Sequence, residues 1–320
     1  MKTTFRRPAH FHRWIWAGFF TIVIFILAEQ AILKPAIEGL ATQAIGARVT
    51  LGSFSLNILT HQIRIRDFQI TNEPGFPSKV FFNASDMLFD ISPIEALKGK
   101  LHFSLVVFRL DKMIIFKNPQ GQLNVNELKI VQEKLHEKNK GPLPNFKIDV
   151  LKLNIEQVVV EDDSQTPHLI EAYDVDLKDK TIRNIDGVPK LVGLVLVEAL
   201  KPTALRSAGM FAATTLLGVG FLPGLAIGVV VAKDDEVSEI SHPAFQVYQQ
   251  SLQMVKRFGT IKKTDAQAGQ IFAKVYGCDI VITIQKEGWM SSKVIIKARK
   301  YFLAKPEVAA GLLYQLKESL

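Results

Sequence analysis

The sequence predicts a mainly β protein with an α+β unit at its C-terminus, set behind an N-terminal transmembrane helix. Three observations predict it: an uncharged apolar run near the N-terminus, period-two alternation of apolar residues from about residue 49 to 178, and mixed helical and strand spacing after residue 241. The expected architecture is an anchor, a curved antiparallel β-sheet with an apolar groove, an apolar helical hairpin, and a small α-β-β-β-α domain.

The anchor comes first. Residues 1–13 form a basic tail in which Lys2, Arg6, Arg7 and Arg13 meet no acid, and residues 14–28 carry no charge. With Glu29 and Gln30 reaching toward the interface the helix extends to residue 33, about 20 residues or roughly 30 Å, enough to cross the hydrocarbon. Charges balance on the other side at Glu29, Lys34, Glu38 and Arg48. The positive-inside bias then leaves the tail in the cytoplasm and exports the rest of the chain. A cleaved signal peptide is the competing reading, and Ile26-Leu27-Ala28 is a poor small-x-small site for it. The expected location is a bacterial inner membrane with the bulk of the chain periplasmic.

Residues 34–200 are expected to form the sheet. Val49/Leu51, Phe54/Leu56/Ile58, Met87/Phe89/Ile91, Ile114/Phe116, Phe146/Ile148/Val150 and Tyr173/Val175/Leu177 each alternate with mostly polar neighbours. Where the apolar phase slips, as between Ile65 and Phe68, a β-bulge restores a common face and curves the sheet. Turn signals fall at Asn72-Glu73-Pro74-Gly75, Ser92-Pro93, Asn118-Pro119-Gln120-Gly121 and Gly141-Pro142. A helix is expected over about 125–139, capped by Asn124 or Asn126, with Leu128, Val131 and Leu135 as its stripe.

Residues 201–233 contain a second uncharged run, 207–232, long enough to span a bilayer but interrupted by five glycines and Pro223. A re-entrant or monotopic hairpin is expected there, and a full span is the alternative. In the last unit, 241–320, Phe245, Tyr248, Leu252 and Val255 give helical spacing closed by Gly259. Three strands come next at 271–275, 280–284 and 294–298, then a helix opened by Pro306.

Charge and composition narrow the function classes. The chain has 39 Lys+Arg against 31 Asp+Glu, a net +8, and 241–320 holds twelve Lys+Arg against five Asp+Glu, about +7 of it. Lys293, Lys297, Arg299, Lys300 and Lys305 are the candidates for a membrane-surface contact. Interleaved aromatics and a reading helix are missing, so no nucleic-acid partner is expected. No nucleophile-base-orienter set, phosphate-binding glycine loop or His-Glu-x-x-His occurs, and neither enzyme activity nor a cofactor is expected. His10 and His12 fall in the basic tail, and the other histidines are scattered singly, so no metal site is expected. Glu161-Asp162-Asp163 and Asp174/Asp176 are the only carboxylate clusters, read as a solvated turn and a polar strand face because a calcium loop's glycine and spacing are missing. Cys278 reads as a small buried filler.

One ordered set of segments carries a resemblance. The basic tail and anchor are followed by Ile45-Gly46-Ala47-Arg48-Val49-Thr50-Leu51-Gly52 and by the strand exit Phe68-Gln69-Ile70-Thr71-Asn72-Glu73-Pro74-Gly75-Phe76. Then come Asp90-Ile91-Ser92-Pro93, Leu97-Lys98-Gly99-Lys100 and Asn118-Pro119-Gln120-Gly121-Gln122-Leu123-Asn124. Across about residues 10–200 the chain resembles the AsmA-like family of bacterial envelope proteins, with TamB- and chorein-like architecture. The last 80 residues look similar to a small domain found in some bacterial lipoproteins.

The resemblance implies a long bent sheet with an apolar inner groove, used in moving phospholipid or in outer-membrane and envelope assembly. Groove candidates, each on the greasy side of its strand, are Ile63, Ile65, Phe68, Ile70, Phe103, Leu105, Leu153 and Ile155. Periodicity alone favours a closed core made of the same residues, and the resemblance turns the reading toward a groove. About ten strands would give a groove of roughly 50 Å, too short to bridge an envelope unaided. The expected partners are membrane phospholipid and envelope proteins. The alternative function is a structural scaffold that binds envelope proteins and no lipid.

Overall fold

The computed structural model describes residues 29–57, 59–72, 76, 80–98, 100–127, 146–206, 235–301 and 303–320. The anchor expected over 14–33 lies outside them apart from its last five residues, as do the uncharged run 207–232 and most of the helix expected over 125–139. Among the described residues no helix is long and apolar enough to cross a membrane. The protein is mainly β, built on two sheets.

A short π-type turn, Glu29–Leu33, leads into α1, Lys34–Ile45. Pro35 opens the helix and Gly46, with φ +82°, closes it in the left-handed conformation that a residue lacking Cβ adopts freely. Two side chains of α1 tie it to the next strand: Thr42 Oγ1 accepts from Val49 N at 3.0 Å, and Glu38 Oε1 from Leu51 N at 2.7 Å.

The first sheet contains β1 (Val49–Thr50), β2 (Ser53–Asn57), β3 (Gln62–Thr71), β4 (Val80–Ile91), β5 (Leu101–Lys117), β6 (Phe146–Asp162) and β7 (Leu169–Asp186). A short helix, α2 (Pro93–Leu97), sits between β4 and β5. The strand order is β1-β3-β4-β5-β6-β7, with β2 sharing the β3 edge with β1. Asp67, with φ +52°, lies in the phase slip between Ile65 and Phe68, and both of those side chains are buried in one core.

The expected antiparallel sheet needs one correction, because β5 and β6 run parallel from Leu101/Phe146 to Lys117/Asp162. The turn at Asn118–Gln122 does form, with Gly121 N donating to Asn118 O. It returns the chain only as far as a single bridge between Lys117 and Leu123. A parallel pair needs a crossover of a dozen or more residues, and 118–145 supplies the length.

A second correction concerns the groove. At Gly187, φ +77°, the chain leaves β7 and enters α3, Gly187–Arg206, a helix that no periodic pattern in the sequence announces. Val195, Leu196, Ala199 and Leu200 of α3 are buried against the sheet, and Ile37, Ala41 and Ile45 of α1 join them. The apolar face is therefore roofed by the chain's own helices in place of the expected open groove. An apolar sheet face next to an apolar helix buries both, at roughly 25 cal/mol per Å² removed from water.

The second sheet holds β8 (Asp235–Ile240), β9 (Gly259–Asp265), β10 (Gln270–Val275), β11 (Cys278–Lys286), β12 (Ser292–Lys300) and β13 (Leu303–Ala304). Helices α4 (Ala244–Phe258) and α5 (Pro306–Glu318) pack on its inner face. The expected α-β-β-β-α order thus undercounts the strands. Gly259 ends α4 and also begins β9, and the edge strands β8 and β9 carry too few apolar residues to announce themselves.

The two sheets share a core. Ile114, Val159, Ile170 and Ala172, on the face of the first sheet opposite α3, pack with α5 and the second sheet. Gly311 of α5 lies so close to β7 that a Cβ there would stand 2.3 Å from Ile170 O. Lys112 of β5 reaches α5 twice, pairing with Glu318 at 2.9 Å and lying 4.7 Å above the Tyr314 ring. Gly311→Ala should force α5 away from β7 and cost about 1–3 kcal/mol, the usual range for overpacking. A lower Tm, with faster amide exchange in β7 at Ile170 to Tyr173, is the expected result, and an unchanged Tm would show that the close approach is unimportant.

Candidate functional site

Seven of the eight groove candidates border one apolar core. Ile65, Phe68 and Ile70 on β3 and Leu153 and Ile155 on β6 are buried in it, and Ile63 and Phe103 pack partly buried against it. Leu105 does not join them. It pairs with Asp90 and Val150, while register slips between Asp90 and Ile91 and puts Val106 into the core in its place.

Between this sheet and α3 lies a cavity of about 150 Å³, bounded by Ile45, Phe68, Ile70, Phe81, Phe82, Met87, Phe108, Met113, Leu191, Val192, Val195 and Leu196. None of these side chains is polar. The cavity's size suits a benzene ring, which an engineered apolar cavity of this volume is known to hold, and falls below the roughly 300–1,000 Å³ of ordinary ligand pockets. The aromatic walls meet at angles that favour ring contact: Phe68 and Phe82 edge to face with centroids at 6.0 Å, and Phe82 and Phe108 at 5.7 Å.

At the root of α3 a wider cleft of about 1,010 Å³ is lined by residues that include Ile94, Leu101, Phe146 and Gly187, with Lys100, His102 and Lys147 among its charged groups. Ile94 is 66% exposed and Leu101 46%. Phe89, Phe103 and Phe146 meet in series, tilted at 5.5 Å and edge to face at 6.0 Å. His102 Nε2 lies 2.8 Å from Asp149 Oδ2, and Lys147 lies 3.2 Å from Oδ1. The Lys147 hydrogen bond and then His102 hold the Asp149 carboxyl below its ordinary range. The cleft is thus apolar at the back and charged at the rim.

Sequence reasoning misses the α3 half of this site. Lys190-Leu191-Val192-Gly193-Leu194-Val195-Leu196 is an almost continuous apolar run, and its composition is the available signal.

The five basic candidates do not make one patch. Lys293, Lys297 and Arg299 alternate along one face of β12. Lys300 and Lys305 instead border a separate cavity of about 550 Å³ between the two sheets, together with Glu171, Lys274, Tyr276, Cys278 and Glu307. Lys305 Nζ pairs with the buried Glu307 at 3.2 Å. Cys278 is buried, and burial pushes its thiol pKa up.

The carboxylate clusters divide. Asp176 is exposed and pairs with Lys178, as a polar strand face should. Glu161 and Asp162, expected in a solvated turn, are buried. Burial alone would raise Asp162, but Ser164 and Gln165 donate to it and keep its pKa low. It therefore organises the β6–β7 turn. Asp163 meets His168 Nδ1 at 2.7 Å, and His168 lies stacked near Phe116. Among the described residues no group of three His, Cys, Asp or Glu side chains converges as a metal would require.

Glu171 lies at the seam between the sheets. Burial raises its pKa, against the opposing hydrogen bond that Tyr173 Oη donates at 2.7 Å. A carboxyl raised in the fold adds stability in full below its unfolded pKa, and that stability is lost as pH rises through the folded value. Glu171→Gln keeps an acceptor for Tyr173 and removes the charge. It should raise Tm by a few degrees at pH 8, with the gain vanishing near pH 4; thermal unfolding at the two pH values measures it, and a gain independent of pH would contradict the assignment.

No protein-family model matches this chain, and no curated protein matches it in sequence.

Proposed function

We propose that the chain is a lipid-handling protein of the bacterial envelope, tethered to the inner membrane with its bulk in the periplasm, that takes acyl chains between the first sheet and α3. The observation that carries the reading is the 150 Å³ cavity with wholly apolar walls, closed on one side by a helix that starts at a glycine with positive φ. The resemblance to AsmA-like proteins points the same way.

The cavity admits the tip of an acyl chain and no more, so loading requires α3 to lift from the sheet. Apolar contact is non-directional, and a methylene chain can replace leucine and valine side chains at little net cost per area. The root of α3 stays held while its far end moves: Lys190 Nζ donates to Asn184 O at 2.6 Å and lies 3.9 Å from Asp186. The cleft beside that root, with its aromatic back and its lysines, suits a lipid whose headgroup is anionic.

A photoactivatable phospholipid, carrying its reactive group in the acyl chain and incubated with the full chain in vesicles, tests this. Label is expected in peptides from β3, β5 and α3. Val192→Phe places a ring in the cavity; it should preserve or raise stability, by about 0.5–2 kcal/mol for cavity filling, and abolish that label. Label confined to residues 14–33 and 207–232, or undiminished in the variant, would overturn the reading and favour a scaffold that binds envelope proteins.

A further inference from the structure

The hairpin between β11 and β12 presents two large apolar side chains to water at its tip. Trp289 is 91% exposed and Met290 64%. A third, Phe245 at the start of α4, is 75% exposed. The two elements are joined close by, where Ser292 Oγ donates to His242 O at 3.0 Å and Ser292 pairs with Ile240. Scattered exposed apolar residues are ordinary, but three this large and this bare near one junction are not.

The tip is held open by its own backbone. Glu287 N and Gly288 N both donate to Ser291 O, at 3.2 and 3.1 Å, which closes the turn and satisfies those two donors. A Cβ on Gly288 would stand 2.7 Å from Ser291 Oγ, so the turn is tight. Lys286 Nζ lies 5.6 Å from the centre of the Trp289 ring. Lys293 comes next on β12, in register with Glu239 of β8.

We infer that this tip, Trp289 and Met290 supported by Phe245, inserts into the interfacial zone of a phospholipid bilayer. A stable protein partner buries about 800 Å² on each side, more than a hairpin tip offers, whereas a bilayer needs only the tip to be immersed by several Å. Tryptophan prefers that depth, and a lysine over its ring reaches back to the phosphates. Two of the turn's backbone donors, on Glu287 and Gly288, are already bonded within it, which lowers the penalty for leaving water. The unit's excess of twelve Lys+Arg over five Asp+Glu favours an anionic surface. None of this depends on acyl chains entering beneath α3.

The contact lies at the opposite end of β8 from the one at which that strand begins. Asp235 pairs with Lys297, whereas the tip leaves β12 at Ser292, opposite Ile240. Six residues of strand, about 20 Å, lie between the two ends. The second unit would then touch lipid at a point of its own.

The test uses the full chain with Met290→Cys and Cys278→Ser, carrying an environment-sensitive fluorophore at position 290, in vesicles of phosphatidylcholine and phosphatidylglycerol. Quenching by a nitroxide on the lipid headgroup region, with protection from aqueous iodide, is expected. Adding Trp289→Ala and Phe245→Ala should reduce the lipid quenching several-fold while far-ultraviolet dichroism and Tm stay as they were. A fluorophore open to iodide and untouched by the lipid nitroxide would overturn the proposal, as would lipid quenching that persists in full without Trp289 and Phe245. If the multiple variant unfolds, Trp289→Ala alone replaces it, and the same two quenching outcomes decide.

Discussion

Burial of both faces of one stretch of sheet holds this protein together. Where β5 and β6 run side by side, Met113, Ile114, Ile115 and Phe116 are consecutively buried, and so are Val158, Val159 and Val160. A strand with every residue buried must be covered on two sides. Met113, Ile115, Val158 and Val160 belong to the core under α1 and α3, and Ile114 and Val159 belong to the core shared with α5 and the second sheet. The parallel pairing of β5 and β6 suits this place, since parallel strands are usually found with both faces covered.

The two covers are attached by different physics. On the α5 side a glycine brings helix and strand backbones into contact at Gly311 and Ile170, and Lys112 of β5 reaches across to Glu318 and the Tyr314 ring. A backbone approach this close specifies one geometry, because packed interiors tolerate little change in spacing. On the α3 side Leu191, Val192, Val195 and Leu196 meet phenylalanine and methionine across unfilled space. Apolar contact of this kind sets no unique register, and an empty volume forfeits the dispersion that would lock it. The first cover is fixed by close contact, and the second packs across a cavity.

Much of the fold is legible in the sequence because alternation records burial directly. The strands around Ile271 to Val275, Ile280 to Ile284 and Val294 to Ala298 show one buried face each, and the slip at Asp67 can be read from Ile65 and Phe68 alone. The direction of β6 relative to β5 cannot be read, since period-two alternation is the same in parallel and antiparallel strands. Leu105 falls on the wrong face for a related reason: Phe103 and Leu105 look in phase, and only the register against β4 reveals the slip between them. α3 hides in a run without period, and β8 and β9 hide as edge strands with charged residues. The buried acids are the least legible, because Glu161 and Asp162 are polar in sequence and yet interior, Glu161 on the face turned to α5 and Asp162 within the β6–β7 turn.

Connectivity adds a consequence that neither sheet shows alone. The far end of α3, at Arg206, and the start of β8, at Asp235, are the two ends of one stretch of chain that contains the uncharged run 207–232. β8 is fixed to β12 by six residue pairs, β12 shares a core with α5, and α5 is the joint to β7. Under the proposed function, a shift of α3 therefore leaves the second unit where it is, because β8, β12 and α5 are pinned back to the first sheet. Under that proposal, the joint at α5 keeps the opposite face of the sheet sealed while α3 moves.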